Sequence, residues 1–97
     1  MSATGYRLVL HKKALAEIRD LPKKVKSTVT ETINGLETDP VPKAAYKLKG
    51  RANAYRIRIG KYRLLYEVHA TEIVVYVFGV AHRREVYTRI LRRRPRG

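Results

Sequence analysis

Residues 55–66 read Tyr-Arg-Ile-Arg-Ile-Gly-Lys-Tyr-Arg-Leu-Leu-Tyr, the pattern of a β-hairpin with two chemically different faces. Side chains alternate across a strand, so Arg56 and Arg58 share one face of the first strand and the apolar residues share the other. A two-residue type II′ turn at Gly60-Lys61 needs a positive φ at its first residue, which glycine adopts readily. The register that this turn predicts is Ile59–Tyr62, Arg58–Arg63, Ile57–Leu64 and Tyr55–Tyr66.

The polar face of this hairpin places the guanidinium groups of Arg58 and Arg63 side by side. Like charges directly opposite each other destabilise a sheet, typically by roughly some tenths of a kcal/mol. A chain that accepts this cost is expected to present the face to an anion. We infer that the anion is a phosphodiester.

The net charge of +14 is unevenly distributed along the 97 residues. Residues 1–39 carry seven Lys/Arg and five Asp/Glu, whereas residues 40–97 carry fifteen and three. No carboxylate occurs between Asp39 and Glu67. This asymmetry indicates that the basic surface binds a nucleic acid or an acidic protein. A surface that only aided solubility would not need its charge concentrated in one half of the chain.

Length and composition predict one domain in a reducing cytoplasm. The sequence has no cysteine, so neither disulfides nor a cysteine metal site can form. Residues 1–5 lack the basic start and apolar stretch of a secretory signal. The longest apolar run, Ile73–Phe78, is too short to span a bilayer, so we expect no membrane partner.

Apolar spacing predicts the element order β-α-α-β-β-β, in the α/β (α+β) class. The two helices meet at Pro22, which disfavours helix at the residue before it but suits a first helical turn. Three successive strands with short loops should form an antiparallel meander, with the helical hairpin packed on its apolar face. The predicted elements are a strand at 6–10, helices at 11–21 and 22–37, and strands at 55–59, 62–69 and 73–78.

Two basic segments lie outside these elements. Residues 43–54 form a connection in which Lys47, Lys49 and Arg51 are candidates to bind an RNA backbone. Residues 92–97 read Arg-Arg-Arg-Pro-Arg-Gly and are expected to form a tail that is disordered or becomes ordered only on a partner. The single domain is therefore expected to cover residues 1–91.

The segment that follows the last predicted strand adds three candidates. Arg83 can reach the same basic face as the hairpin, and Tyr87 can stack on a base or donate a hydrogen bond. His82 can contact RNA and transfer protons near neutral pH. The three histidines of the chain are far apart in sequence, so we expect no metal site.

Four motifs are spread over the second half of the chain. They are Lys47-Leu48-Lys49-Gly50, Tyr55-Arg56-Ile57-Arg58-Ile59-Gly60, Tyr62-Arg63-Leu64-Leu65-Tyr66 and His82-Arg83-Arg84-Glu85-Val86-Tyr87. Together with the helical hairpin, they resemble the RelE branch of the RelE/ParE toxin superfamily nearly from end to end. The Tyr-Arg-x-x-Tyr strand is typical of the whole superfamily, whereas the last motif is closer to its RNase branch.

This resemblance implies a toxin of a type II toxin–antitoxin system that cleaves mRNA in the ribosomal decoding site, without a metal or cofactor. In such toxins the mRNA 2′-hydroxyl attacks the adjacent phosphate, and basic residues neutralise the developing charge. The implied partners are an acidic cognate antitoxin, mRNA and the ribosome. The implied catalytic residues are Arg56, Arg58, Arg63, Arg83 and Tyr87.

Arg56 and Arg58 depart from the family pattern, because the best-known members have two lysines at these positions. Arginine does not lose its proton in proteins, so it is a poor general base. It can still stabilise a pentacovalent phosphate as a fixed charge. Proton transfer would then fall to Tyr87, His82 or the ribosomal RNA.

Two other functions fit the same motifs. The chain could be a ParE-like poison of DNA gyrase, which acts by protein binding without catalytic residues, or a non-catalytic RNA-binding module. The presence of Arg83 and Tyr87 favours the nuclease over the gyrase poison.

Overall fold

Eight secondary-structure elements make up the part of the chain that the computed structural model describes, residues 5–93. In chain order they are β1 (Arg7–Leu10), α1 (Lys12–Arg19), α2 (Lys23–Gly35), β2 (Ala45–Lys47), β3 (Ala54–Ile59), β4 (Tyr62–His69), β5 (Val74–His82) and α3 (Val86–Arg89). The strands form one sheet in the order β1-β5-β4-β3-β2, with β1 parallel to β5 and all other neighbours antiparallel. The helical hairpin of α1 and α2 packs on one face of this sheet, so the predicted α+β class is confirmed. None of the helices in the described part of the chain has the length and apolar character that a membrane span requires.

The hairpin of β3 and β4 has the predicted register. Arg58 lies opposite Arg63, and the predicted apolar pairs meet on the other face. Gly60 has a φ of 60°, and Lys61 has no positive φ, as a type II′ turn requires. The register is strongly specified, because a slip of one residue would turn the whole apolar set away from the core.

The face of the sheet under α1 and α2 holds the main core. Tyr66 is fully buried there, with its ring stacked on that of Tyr55 at a centroid distance of 5.8 Å. Its hydroxyl donates a hydrogen bond to the Pro40 carbonyl at 2.7 Å, and burial raises the pKa of this phenol, so it remains a donor. The buried members of this core are Ala14, Val29, Ile33, Leu36, Ile57, Leu64, Tyr66, Val75, Val77 and Val80.

A second apolar cluster covers part of the opposite face, where α3 packs on the sheet. The sequence patterns predicted neither α3 nor β2, because elements of four and three residues are too short to show a clear period. The prediction also ended β5 at residue 78, whereas the strand continues past Gly79 to His82. The buried members of this second cluster are Leu48, Ala54, Leu65, Tyr76, Phe78, Ala81, Val86 and Ile90.

Two side chains form hydrogen bonds with the backbone of β5 beyond the point where its pairing with β1 ends. The pairing between these strands extends only to Val77. Beyond it, the Glu17 carboxylate accepts a hydrogen bond from the Val80 amide at 3.2 Å, and the Arg93 guanidinium donates one to the Phe78 carbonyl at 2.9 Å. The two side chains also form a salt bridge with each other. Together they satisfy backbone groups that a longer β1 would otherwise have paired.

Arg93, which belongs to the predicted tail of residues 92–97, is therefore held against the sheet by these contacts. Only 7% of the Arg93 side chain is exposed. A charged group is buried to this extent only when it is paired, and the Glu17 carboxylate supplies the partner. The rest of the predicted tail, residues 94–97, lies outside the described residues.

Gly79 leaves room for this salt bridge, and replacing it tests the packing. A Cβ atom at Gly79 would overlap the Arg93 guanidinium and the Glu17 carboxylate. We expect Gly79→Ala to lower the free energy of unfolding by about 1–3 kcal/mol, the usual cost of overpacking, as measured by urea denaturation. Gly35→Ala is the matched control, because no atom lies within 4 Å of a Cβ there and alanine suits a helix better than glycine. Equal stability of Gly79→Ala and the wild type would contradict this packing.

His11 caps α1 with a neutral imidazole, and this makes stability depend on pH. Its Nδ1 accepts a hydrogen bond from the Lys13 amide at 3.0 Å, which a protonated ring could not do. Burial lowers the pKa of His11 below its ordinary 6.5, and the charges of Arg93, Lys13 and Lys12 lower it further against the opposing effect of Glu17. A pKa that is lower in the folded state gives stability that is complete above the unfolded value and declines as the pH falls through the folded value.

We therefore expect the wild type to lose thermal stability between pH 8 and pH 5 in part through His11. His11→Asn keeps a capping side chain but does not titrate, so its melting temperature should fall less over the same range. An identical fall in the two proteins would show that this imidazole does not contribute.

Candidate functional site

Three arginines of the β3–β4 hairpin line one cavity of about 110 Å³ on the face opposite α1 and α2. Arg58 and Arg63 face each other across the two strands, and Arg56 lies one row further along β3. The fourth lining residue is Tyr46, which lies opposite Arg56 on β2. The structure thus brings the three predicted hairpin arginines together, and we call them, with Arg83, the arginine cluster.

The charge of Arg63 interacts with those of the other three arginines of the arginine cluster. Arg63 Nη1 donates hydrogen bonds to the carbonyls of Gly60 at 3.3 Å and Tyr62 at 3.0 Å, which hold the guanidinium beside the turn. Partial burial lowers the pKa of Arg63, and the guanidinium charges of Arg58, Arg56 and Arg83 add to this effect while the Tyr87 phenol opposes it. Arginine nevertheless stays charged at any physiological pH.

A β-bulge in β5 places Arg83 on the cluster's side of the sheet. Gly79 pairs with Leu65 and Val77 pairs with Tyr66, so Phe78 is an extra residue and the alternation of faces shifts by one. In β5, the side chains of odd-numbered residues lie on the face that carries α1 and α2 before the bulge, and those of even-numbered residues lie there after it. The Arg83 amide then donates to the Lys61 carbonyl at 2.8 Å, which extends the ladder to the hairpin turn.

Tyr87 reaches the cluster because α3 is anchored on the second apolar core. Val86 and Ile90, four residues apart on one side of this short helix, are both fully buried. Tyr87 is left 43% exposed, and its hydroxyl accepts a hydrogen bond from Arg56 Nη1 at 3.2 Å. The spacing of Val86 and Ile90 is the sequence signal that could have predicted this helix.

The basic residues at the end of β2 and in the connection to β3 have two different kinds of surroundings. Lys47 and Lys49 line a cavity of about 350 Å³ that Arg56 and Tyr87 also line, so they adjoin the cluster. Arg51 is instead engaged by the fold. Its Nη2 donates to the Leu91 carbonyl at 2.6 Å, and its Cζ lies 5.4 Å from the ring centroid of Phe78.

His82 lies on the helix-bearing face, away from the arginine cluster. It pairs with Tyr62 across β4 and β5, and the two rings meet edge to face at 5.9 Å. The structure therefore does not bring His82 together with Arg63. Among residues 5–93, no group of three or more His, Asp or Glu side chains lies close enough together to hold a metal ion.

Tyr46 is the site residue that the sequence analysis missed. It belongs to β2, which was treated as part of an irregular connection. The Cζ of Arg56 lies 5.6 Å from the centroid of its ring, within the range of a cation–π interaction. The only sequence signal was the placement of a tyrosine between Ala45 and Lys47, which is too little to identify a strand.

The positive charge of the arginine cluster is not neutralised by carboxylates in the contacts seen within residues 5–93. The partners of its guanidinium groups are neutral: a phenol, an aromatic ring and backbone carbonyls. The salt bridges between described residues engage Arg19, Arg89, Arg93 and His69 instead. Such a set of fixed donors is suited to a phosphate group.

A larger cavity, of about 600 Å³, opens between α2 and β3 and has a different character. Its apolar lining includes Leu36 and Ile57, and its charged lining residues are Glu31, Asp39 and Arg58. The two acidic residues outnumber the one arginine, so this cavity suits a phosphate less well than the arginine cluster does. The arginine cluster, although its cavity is smaller, is therefore the candidate site for anion chemistry.

The chain is similar to known toxins over most of its length. A family model described as the ParE toxin of type II toxin–antitoxin systems, parDE, matches residues 8–87. A protein of Methanocaldococcus jannaschii that carries the toxin name RelE1 is 32% identical over 85 residues, which are 84% of this chain and 94% of that protein. The range matched by the family model begins within β1, includes the helical hairpin and the strands β2 to β5, and extends to Tyr87.

Solved structures with this architecture are also RelE toxins. A free-state mutant of E. coli RelE, with two arginines replaced by alanine, superposes with a TM-score of 0.74 at 30% identity, covering 90% of this chain and 95% of that one. A chain of the archaeal RelE–RelB complex of Pyrococcus horikoshii gives a TM-score of 0.71 at 31% identity, covering 80% and 94%.

Proposed function

The chain belongs to the RelE/ParE superfamily of type II toxin–antitoxin toxins, and from this premise we propose that it is a ribosome-dependent endoribonuclease that cuts mRNA in the decoding site. The observation that carries the proposal is the convergence of four arginines and Tyr87 on one open face of the sheet. A binding protein needs a complementary surface, whereas clustered fixed charges around a cavity are what a developing phosphate charge requires.

The proposed reaction is a transesterification within the mRNA. The 2′-oxygen attacks the adjacent phosphorus, the bond from phosphorus to the 5′-oxygen breaks, and the products are a 2′,3′-cyclic phosphate and a 5′-hydroxyl. Negative charge gathers on the non-bridging oxygens of the pentacovalent phosphorus. The arginine cluster stabilises that charge, because its guanidinium groups are already in place before the reaction begins.

Proton transfer needs a group other than these arginines. The 2′-hydroxyl loses a proton in the reaction and the 5′-oxygen gains one. Arg56 and Arg58 keep their protons, and His82 lies on the other face of the sheet. Tyr87, whose hydroxyl lies 3.2 Å from Arg56 Nη1, is therefore the side chain proposed to accept the 2′-proton in its deprotonated form and then to donate a proton to the departing 5′-oxygen, and ribosomal RNA is the alternative.

The proposed partners follow from the charge. Residues 40–97 carry fifteen Lys/Arg against three Asp/Glu, so an acidic antitoxin would be attracted to this half of the chain. The related toxins of E. coli and Pyrococcus horikoshii were crystallised with the antitoxin RelB. With translating ribosomes as its target, the protein is proposed to act in the cytoplasm.

The match to the ParE family model favours a second candidate function, the poisoning of DNA gyrase by protein binding. The two candidates differ in what they require of the arginine cluster. A nuclease depends on individual guanidinium groups, because each stabilises the transition state. A gyrase poison depends on its contact surface and leaves RNA intact.

Replacing Arg63 or Arg83 with alanine should lower the rate of mRNA cleavage on programmed ribosomes by roughly 10²-fold or more, the usual effect of losing a preorganised transition-state donor. Binding to the same ribosomes should change much less, since the interaction strengthens in the transition state. The cleavage rate would be measured in single-turnover reactions with purified protein.

Lys24→Ala and Lys26→Ala are the matched controls, because they remove positive charge from α2 without touching the site. Both should cleave at nearly the wild-type rate and remain toxic in cells. Wild-type cleavage by both Arg63→Ala and Arg83→Ala would reject the proposed chemistry. Toxicity without any RNA cleavage by the wild type would favour the gyrase poison.

Tyr87→Phe tests the proposed proton acceptor, because it keeps the ring and removes the hydroxyl. At saturating protein, single-turnover cleavage should fall while ribosome binding stays close to normal. The hydroxyl also holds Arg56, so the dependence of the residual rate on pH separates the two roles. A lost proton acceptor should change the slope of the pH–rate profile, whereas a displaced Arg56 should lower the rate by the same factor at every pH. An unchanged rate would remove Tyr87 from the chemistry, and His82→Ala would then be measured in the same assay.

A further inference from the structure

We propose that Tyr46 is a stacking platform for one nucleobase of the bound RNA, next to the arginine cluster. The inference rests on the proposed function in one respect, since it takes single-stranded RNA as the ligand. It adds a binding site for a base, whereas the arginines are proposed to bind only the phosphate.

The exposure of Tyr46 shows that packing does not explain its position. Its exposed fraction is 61%, compared with 43% for Tyr87 and complete burial for Tyr66. A tyrosine that packs in a core buries most of its ring. A tyrosine that is present only because it suits a strand does not require a contact with a particular side chain. Tyr46 does have a partner, the guanidinium of Arg56 at 5.6 Å from its ring centroid.

The sheet places Tyr46 next to the proposed phosphate site. It is the cross-strand neighbour of Arg56, on the outer strand β2 of the sheet. Tyr46, Arg56, Arg58 and Arg63 together line the cavity of about 110 Å³. A nucleotide whose phosphate binds these guanidinium groups would therefore carry its base past the ring of Tyr46.

Arg56 connects the two exposed aromatic residues of the site. Its guanidinium contacts both the Tyr46 ring and the Tyr87 hydroxyl, the latter at 3.2 Å. The cation–π contact covers one part of the Tyr46 ring and leaves the remainder accessible, as its exposed fraction shows. The ring is thus held in place before the ligand arrives, which reduces the entropy that binding must overcome.

Stacking is the kind of recognition that this surface allows. Aromatic side chains that bind unpaired bases stack on them, and stacking tolerates different bases because every base has a π-face. The three arginines that line the cavity with Tyr46 are assigned to the phosphate, which leaves stacking on Tyr46 as the contact with the base. We therefore expect Tyr46 to contribute affinity for a base at one position, with little preference for its identity.

The experiment measures the binding of the fluorescently labelled full-length protein to ribosomes programmed with mRNA that is 2′-O-methylated in the decoding site and so cannot be cleaved. Tyr46→Ala should weaken binding by about tenfold, the typical effect of removing one stacking partner. Tyr46→Phe should bind like the wild type, because the ring is what stacks. Leu15→Ala is the matched control, since Leu15 on α1 is 59% exposed but lies outside the site.

A second series replaces each nucleotide of the decoding-site codon with an abasic residue. The wild type should lose about tenfold in affinity at one position, and Tyr46→Ala should lose nothing further at that position. This coupling between one side chain and one base is not expected from a general loss of charge or fold. Far-UV circular dichroism would verify that each variant is folded.

Several outcomes would overturn the assignment: unchanged binding by Tyr46→Ala, equal weakening by Tyr46→Phe, absence of coupling at every codon position, or no binding of the wild type to ribosomes. If Tyr46→Ala instead impaired only the binding of an acidic antitoxin, the ring would belong to a protein interface. Cleavage is measured separately with unmodified mRNA. Coupling without cleavage would reject the nuclease and keep the base subsite, whereas cleavage without coupling would reject the subsite alone.

Discussion

The apolar pairing on the helix-bearing face of the β3–β4 hairpin forces Arg58 and Arg63 to be neighbours on the other face. Ile57 and Leu64, which pair with each other, are 3% and 0% exposed, so the register cannot slip without exposing them. The core thus maintains a repulsion between two guanidinium groups that the hairpin alone would avoid. Local rules of stability are commonly broken at functional sites in this way, where the surrounding fold compensates.

Arginine serves two purposes in this chain, and the surroundings of each side chain separate them. Arg51 donates to the Leu91 carbonyl of the C-terminal segment. Arg93, which belongs to that segment, donates to the Phe78 carbonyl of β5 and pairs with Glu17. By holding this segment they support α3, and therefore the position of Tyr87. The arginine cluster, in contrast, meets neutral groups and keeps its charge available. The net charge of the chain therefore overstates the charge that is free to bind an anion.

Two arginines, Arg56 and Arg58, limit what the hairpin can contribute to the proposed reaction. A lysine can release a proton when its environment lowers its pKa, whereas an arginine remains a fixed charge with several donors. In the proposed reaction, the hairpin would supply electrostatic stabilisation, and the proton transfer is assigned to Tyr87 or to ribosomal RNA. Arg56 also joins Tyr87 and Tyr46, so its charge contributes to the arrangement of both aromatic residues.

The sequence by itself determined the features that local patterns encode: the hairpin register, the type II′ turn at Gly60, the helical hairpin and the membership of a toxin family. The first three depend on residues close together in the chain, where alternation or helical spacing is repeated often enough to be recognised, whereas the family resemblance rests on motifs spread from Lys47 to Tyr87. Only the tertiary structure decided the roles of β2, α3, Arg51 and Arg93, because these depend on contacts with residues far along the chain, such as that between Arg51 and Leu91, which are 40 positions apart. The bulge at Phe78 shows the limit most clearly. One extra residue reverses the alternation of β5, so that His82 lies with the helices and Arg83 lies with the cluster, and that insertion is visible only once β4 is paired with β5.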